Sequence, residues 1–452
     1  MAPYTLWPVF VIGFGALYAA LDRAQSKKAA FLYGWLWAFG YFVFGLYWIG
    51  NALLVEGNPY AWAWPLAVCG LPALLGFFTA FACVGIKQFC DLKHWLGYLG
   101  FVAFLALAEF LRGHLFTGFP WNLYGYSWGE WLPVLQILSV SDVYVLTALT
   151  VFWLSLGGFW LVSQSKIQKA ILSALTLFSF IGNLYWGSEQ MPHRIDVSET
   201  EIVIVQPNIA QHEKWQADRL VENFQTLLRL SRPDKDTGKT TLIVWPETAI
   251  AQGFLDDPIA RRDIRDVLNA YRGAAFILTG ALRYDPVESR YFNSVIAFEK
   301  GRSDYFNIYD KSHLVPFGEY IPFQKWIPLA PVAQFQGFET GAGPEVFTLS
   351  DTLSYSPLVC YEILFPDQSV PKGAAADFIV NVTNDAWYGK SPGPYQHFQM
   401  ARFRAIENRT PVIRAANTGF SGLIDPWGRV LESSDLFETA RVTSALPHSA
   451  AA

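Results

Sequence analysis

Thr241-Leu-Ile-Val-Trp-Pro-Glu247 is a short apolar run that stops at a carboxylate. Ser356-Pro-Leu-Val-Cys360-Tyr361-Glu362 has the same form and stops at a thiol. Runs of this length, β-branched and bounded by polar or Pro-rich breaks, read as buried strands. Five more follow the pattern, at 201–206, 276–280, 293–298, 377–383 and 411–415. Helical periodicity fills gaps between them at 217–230 (Leu220, Phe224, Leu227, Leu228), 258–271 and 395–407. Strand–helix alternation predicts a layered α/β or α+β domain. We place it at 201–440, after a polar linker at 188–200 and before a small, polar tail at 441–452 expected to fray.

The chain ahead of that domain is a different material. Residues 1–187 hold 8 Lys/Arg and 6 Asp/Glu, whereas 188–452 hold 25 and 32. Apolar runs occur at 5–20, 29–54, 63–86, 95–111, 132–161 and 170–186. A bilayer crossing takes about 20 such residues, so about six spans are expected, the 5–20 run being the shortest. No Lys or Arg precedes that run, which argues against a secretory signal. The 22–28, 87–94 and 162–169 loops carry seven Lys/Arg against one, Arg112, in the alternate loops. The positive-inside rule then sets the first group in the cytoplasm and the polar domain outside. The 112–131 loop, with Glu109 just before it, contains Pro120-Trp121 among many aromatics. It reads either as an interfacial aromatic belt or as a lipid-facing floor to a site above the bilayer. Net charge is −5, which offers nucleic acid no basic field.

Polar residues at the ends of strands are where sites form in such folds. Three sets stand out: Glu247, Cys360, and Lys311 with Glu319 in Asp310-Lys311-Ser-His313-Leu-Val-Pro316-Phe-Gly318-Glu319. A thiol attacks a carbonyl as thiolate and needs a base, which a carboxylate can supply. The oxyanion that follows can be stabilised by a fixed ammonium. Glu, Lys and Cys are thus sufficient for covalent acyl transfer. Singly, each has a plainer reading: a buried small hydrophobe for Cys360, a surface charge for Lys311, a turn or helix cap for Glu247. His313 offers an alternative Cys/His pairing. No spacing among Cys69, Cys83, Cys90 and Cys360 suits zinc, so no metal or cofactor is expected.

The order Trp-Pro-Glu247, then Asp-Lys311-x-His-Leu-Val-Pro-Phe-Gly-Glu319, then Cys360-Tyr361-Glu362 resembles the carbon–nitrogen hydrolase (nitrilase) superfamily. Joined to the multispan front, it is similar to the apolipoprotein N-acyltransferase family. Thr117-Gly-Phe-Pro120-Trp121, Val205-Gln-Pro-Asn208 with Lys214-Trp215, and Asn381-Val-Thr-Asn384-Asp-Ala-Trp387 add to the likeness. Gln396-His397 to Arg402 and Asn417-Thr-Gly fit as well. The resemblance implies a membrane α-helical bundle plus a four-layer α-β-β-α sandwich on the periplasmic side of a bacterial inner membrane. It implies Cys360 as nucleophile, Glu247 as general base and Lys311 as oxyanion stabiliser, supported by Glu319, Tyr361 and Glu362. It implies substrate contacts by Trp215, on a mobile arm over the lipid entrance, and by Pro120, Trp121 and Asn208. The implied reaction is ping-pong. Cys360 takes an acyl chain from a phospholipid, and the α-amino group of a lipoprotein's N-terminal diacylglyceryl-cysteine receives it.

A monomer is expected, with membrane lipids, a phospholipid donor and a diacylglyceryl apolipoprotein acceptor as partners. The family places one membrane helix before the Pro3–Pro8 segment and one after the catalytic domain; this sequence starts at that segment and ends without an apolar run. Two other readings use the same residues: a membrane-tethered amidase with water as acceptor, and a membrane scaffold with an inactive hydrolase domain. Pro316, Pro322, Pro328, Pro331 and Gly337 make 316–340 either a movable lid or an ordered irregular loop.

Overall fold

The computed structural model describes residues 1–235, 237–287, 289–322 and 337–450. The chain divides into two compact units. One comprises 1–50, 62–193 and 391–399, the other 51–61, 194–390 and 400–452.

The first unit is helical: α1 Trp7–Arg23, α2 Lys27–Leu46, α3 Trp64–Phe89, α4 Trp95–His114, α5 Leu132–Leu135, α6 Val143–Leu154, α7 Leu156–Val162 and α8 Lys166–Glu189. The scarce polar residues mark the helix starts. The side chains of Ser26, His94, Asp142 and Ser165 each accept a backbone N–H at the head of α2, α4, α6 and α8. Such caps satisfy donors that have no partner within the helix. Small residues let the helices approach. A Cβ at Gly34 would lie 2.6 Å from Cys83 Sγ, so the Cys83 side chain of α3 packs directly against the α2 backbone. Large apolar groups point outward as well, Phe44 at 83% exposure and Phe178 at 79%. An all-round apolar helix surface suits lipid as solvent.

Among the described residues five stretches are long and apolar enough to cross a membrane: Lys27–Leu54, Ala61–Phe89, Trp95–Thr117, Val143–Val162 and Lys166–Glu189. The first expected run forms α1, which at 17 residues is shorter than these. The expected run at 132–161 is broken, because Asp142 caps a new helix and only Val143–Val162 is long enough to cross. The 112–131 loop is mixed: Trp121, Tyr124, Tyr126 and Trp128 are buried, while Leu115, Phe116 and Trp131 are exposed. Arg112, paired with Glu109 at 2.5 Å, donates to the carbonyls of Phe119 and Trp121 and fixes the loop. Trp48 and Trp121 both donate their indole N–H to Gln396 Oε1, at 3.1 and 2.8 Å.

The second unit contains two six-stranded sheets. Its strands are β1 Val197–Gln206, β2 Thr241–Val244, β3 Ala275–Asp285, β4 Arg290–Glu299, β5 Phe306–Asp310, β6 Phe347–Ser350, β7 Leu353–Val359, β8 Phe378–Thr383, β9 Val412–Ala416, β10 Gly422–Ile424, β11 Val430–Ser433 and β12 Ala440–Pro447. The orders are β12-β1-β2-β3-β4-β5 and β11-β10-β9-β8-β7-β6. In each sheet the central three, β1-β2-β3 and β7-β8-β9, are parallel. Parallel neighbours need crossovers: α9 Leu220–Ser231, α10 Pro258–Asn269 and α11 Pro392–Asn408 occupy three of the four, and the β7–β8 crossover holds 3₁₀ turns.

Strand alternation divides the apolar side chains between two layers. Ile202, Ile204, Leu242, Val244 and Leu278 of one sheet pack with Val359, Val380, Val382 and Ile413 of the other. The alternate residues Val203, Val205, Ile243 and Ile277 pack against Phe224, Leu227, Ile264 and Val267 of α9 and α10. With Phe403, Ala405 and Ile406 of α11 also buried, the unit has the expected α-β-β-α layering.

Each of the seven expected strands coincides with an observed strand to within one residue or lies inside it. The tail is a correction: β12 pairs antiparallel with β1 over Ala440–Pro447 and does not fray. Val442 and Leu446 enter the core between the sheets, which holds it in place. The linker also shortens at both ends, since α8 runs to Glu189 and β1 starts at Val197. Most of the 316–340 segment, 323–336, lies outside the described residues.

Candidate active site

Three strands of the second unit deliver the chemistry at their C-terminal ends. After β2 the chain turns at Pro246 and presents Glu247. After β5 comes Lys311, and after β7 comes Cys360, the first residue of a 3₁₀ turn over Cys360–Leu364.

Two of these turns use backbone conformations that side chains rarely adopt. Cys360 has φ +50° and Thr248, next to Glu247, has φ +46°. Non-glycine residues in this region cost on the order of 1–3 kcal/mol each and persist only where the surroundings fix them. The Glu247 turn is fixed by β3. Gly280 N donates to Pro246 O at 3.2 Å, and Ile250 N to Gly280 O at 3.1 Å. A Cβ at Gly280 would sit 2.5 Å from Pro246 O and Thr248 N and 2.6 Å from Glu247 Cα. Gly280→Ala must therefore push the Glu247 turn off β3. We expect a loss of about 1–3 kcal/mol in stability, as for other overpacked sites. Activity should fall further than unfolding at the assay temperature explains, as a melting curve and a rate measured together would show.

The polar groups form one network. Lys311 Nζ lies 2.9 and 2.8 Å from the two carboxylate oxygens of Glu319 and 4.0 Å from Glu247 Oε1. Asn293, on β4, donates through Nδ2 to Glu247 Oε1 at 2.7 Å and to Glu319 Oε1 at 3.3 Å. Val315 N donates to Glu319 Oε2 at 2.8 Å. Burial alone would lower the Lys311 ammonium, but Glu319 and Glu247 outweigh it and hold it well above its ordinary value. Lys311 is thus a fixed cation. Cys360 is buried, and desolvation together with Glu247 pushes its thiol up to about 12 against the pull of Lys311. Glu247 and Lys311 both act electrostatically on the sulfur, which is a protonated thiol at pH 7.

Glu362 holds the thiol turn and the lysine turn together. Its Oε1 accepts from Ser312 N (2.7 Å), Ser312 Oγ (2.8 Å), Tyr309 OH (2.8 Å) and His313 N (3.1 Å). Its Oε2 accepts from Val359 N at 2.7 Å. Burial raises its carboxyl despite these donors. Tyr361 packs edge-on against Phe365 and near His313. His313 stacks on Phe365, and its Nδ1 is hydrogen-bonded with Gln368.

Trp215 and Glu247 line one pocket, together with Phe224, Phe254 and Asn417. Asn208, with φ +56°, donates to Phe437 O at 2.9 Å, and its backbone N–H goes to Asn417 O. It shapes the pocket wall through the backbone. Pro120 and Trp121 belong to the first unit, where both are buried. Sequence reasoning did not single out Asn293, which opens an apolar run like any strand residue, or the buried pair Asp385–Arg414 at 2.9 Å. Asp385 also acts on Cys360. Among the described residues no cluster of His, Cys, Asp and Glu is suited to a metal.

Residues 202–450 match the carbon-nitrogen hydrolase family, and residues 1–156 match the apolipoprotein N-acyltransferase N-terminal domain. The apolipoprotein N-acyltransferase of Brucella melitensis biotype 1 is 39% identical over 469 residues, covering 99% of this chain and 86% of that protein. That of Allorhizobium ampelinum is 39% identical over 426 residues, covering 90% and 78%. Among solved structures, an amidase from Nesterenkonia sp. aligns at 18% identity and TM-score 0.37 over 57% of this chain and 93% of its own. With relatives of that identity along nearly its whole length, and with both parts matched separately, the chain belongs to the apolipoprotein N-acyltransferase family of carbon–nitrogen hydrolases.

Proposed function

We propose that the chain moves a fatty acyl group from a phospholipid, through a thioester on Cys360, to the α-amino group of a lipoprotein's N-terminal diacylglyceryl-cysteine. The observation that carries the mechanism is the buried Glu247–Asn293–Glu319–Lys311 network around the Cys360 thiol. The helical unit supports a lipid substrate, because a small-amide hydrolase has no need of membrane spans. Family membership sets aside the amidase and inactive-scaffold readings.

A thiol pushed up to about 12 is not a thiolate at rest. Deprotonation therefore accompanies attack: Glu247 takes the S–H proton as sulfur bonds to the ester carbonyl carbon. Lys311 faces the oxyanion, and Glu319 keeps Lys311 in place. Collapse breaks the ester C–O bond, the lysophospholipid oxygen takes the proton from Glu247, and a thioester remains. In the second half the acceptor amine attacks the thioester, Glu247 accepts an amine proton, and the sulfur leaves and regains a proton. An amide and the resting thiol result. Glu247 alternates between base and acid, as a ping-pong cycle requires. Intact-protein mass spectrometry after incubation with phospholipid alone should show one acyl adduct, and a lipopeptide should discharge it. An adduct absent under conditions that support turnover would end the thioester mechanism.

The loop charges support an inner-membrane protein with its second unit on the periplasmic side. Cys360 is too buried to report the side, but Val287, at 92% exposure, is not. In a Cys69→Ser background, Val287→Cys should react in intact spheroplasts with a thiol reagent that cannot cross membranes. Labelling only after lysis would reverse the orientation.

A further inference from the structure

We propose that Lys214 is a positioning residue of the acyl-transfer site, holding the Glu247–Thr248 turn and tying it to the segment that carries Trp215. This rests on the reading of Glu247 as the base. Lys214 is 6% exposed, between β1 and α9. A buried ammonium costs several kcal/mol in lost hydration unless it is paired. Yet among the described residues its partners are two neutral oxygens and an indole face. Nζ donates to the backbone carbonyl of Glu247 at 2.9 Å and to Thr248 Oγ1 at 2.6 Å. It also lies 5.4 Å from the centre of the Trp215 ring.

Both oxygens belong to the turn that aims the candidate base. Thr248 is β-branched at positive φ, so it stays there only while something external holds it. Gly280 holds the turn through the β3 backbone, and Lys214 holds it from a segment more than thirty residues earlier in the chain. Burial lowers the Lys214 ammonium to about 8, and the Glu247 carboxylate pulls the other way and favours the cation. Two of the three N–H bonds of an ammonium are committed to the turn, which fixes its position as well as its charge. Lys214 and Trp215 are consecutive and line the same pocket as Glu247. A chain packed against Trp215 therefore also keeps the turn in register with the sulfur.

The test uses the full-length protein in phospholipid-containing micelles, with a synthetic diacylglyceryl lipopeptide as acceptor. Lys214→Met should lower kcat about 10- to 10²-fold, within the range attributed to a positioned base. The KM for phospholipid should stay within about twofold, since uniform binding is not what is lost. Thr248→Val, which removes one of the two oxygens and keeps the side-chain shape, should lower kcat several-fold with the same unchanged KM. The double variant should be no slower than Lys214→Met alone, because both changes break one contact. Effects that multiply, a KM that rises while kcat holds, or full activity in Lys214→Met would each overturn the proposal. If Lys214→Met does not fold, the kcat–KM split of Thr248→Val decides by itself. Acyl transfer by a Cys360→Ala protein would instead sink the reading beneath, whatever the Lys214 variants do.

Discussion

Cys360→Ala protein should release no lysophospholipid and N-acylate no lipopeptide, while folding normally. The substitution removes one buried sulfur at the head of a 3₁₀ turn, and that turn's bonds run through Glu362. The local cost is therefore a small cavity, which makes a folded and inactive protein the expected result. Cys360→Ser keeps the shape but substitutes a far weaker acid for a thiol that is already pushed up to about 12. Attack should slow severely, or stop at an ester that the amine discharges poorly. The same burial predicts the response of the resting wild-type thiol to pH. The folded thiol titrates higher than an ordinary one, so alkylation by neutral iodoacetamide should be slow at pH 7 and still climbing at pH 10. A rate that levels off near pH 8 would mean a thiolate already exists at rest, and the concerted proton transfer would have to be abandoned. Normal acylation by Cys360→Ala would remove the mechanism altogether.

Lys311→Ala carries the second large effect, and it acts on two quantities. Losing one oxyanion donor costs about 10²–10³ in kcat. Stability should also fall, by about 3–5 kcal/mol, because removing one partner leaves buried charge uncompensated. Here two carboxylates, Glu247 and Glu319, would be left sharing Asn293 without their cation. Their repulsion would displace the base, in addition to the loss of the cation. Lys311→Ala/Glu319→Gln separates the two effects: thermal stability should recover in part while kcat stays low. Recovery of both would make Lys311 a structural counter-ion. A change in KM alone would move it from the oxyanion to substrate binding.

What the sequence made legible follows from what is buried on both sides. The seven strands read from apolar runs are the central ones of the two sheets, plus β4. They carry continuous hydrophobic side chains because both faces are covered. The strands that escaped, β5, β6, β10, β11 and β12, are at or next to sheet edges, short or half exposed. Arg441-Val-Thr-Ser-Ala-Leu-Pro447 shows why: only Val442 and Leu446 face the core, and small polar residues between them look like a loose end. At the site, Glu247, Lys311 and Cys360 were readable because each ends a strand and each has a chemical reason to be there. Asn293 was not, since an amide at the head of an apolar run says nothing about the two carboxylates it will join. The aromatic 112–131 loop stays open to two readings in sequence because Trp and Tyr suit an interface and an interior equally well. The Arg112 bonds to the Phe119 and Trp121 carbonyls hold part of it inside, while Phe116 is exposed.

The bonds of Glu362 have a wider consequence. Tyr309 lies in an edge strand of one sheet, Ser312 and His313 follow it, and Val359 ends a strand of the other, yet all donate to a single side chain. The gap between attacking atom and stabilising cation is thus gauged by one shared acceptor spanning both halves of the sandwich. Surface segments elsewhere in this unit can lengthen or shorten without altering that gap, so long as these donors keep their register.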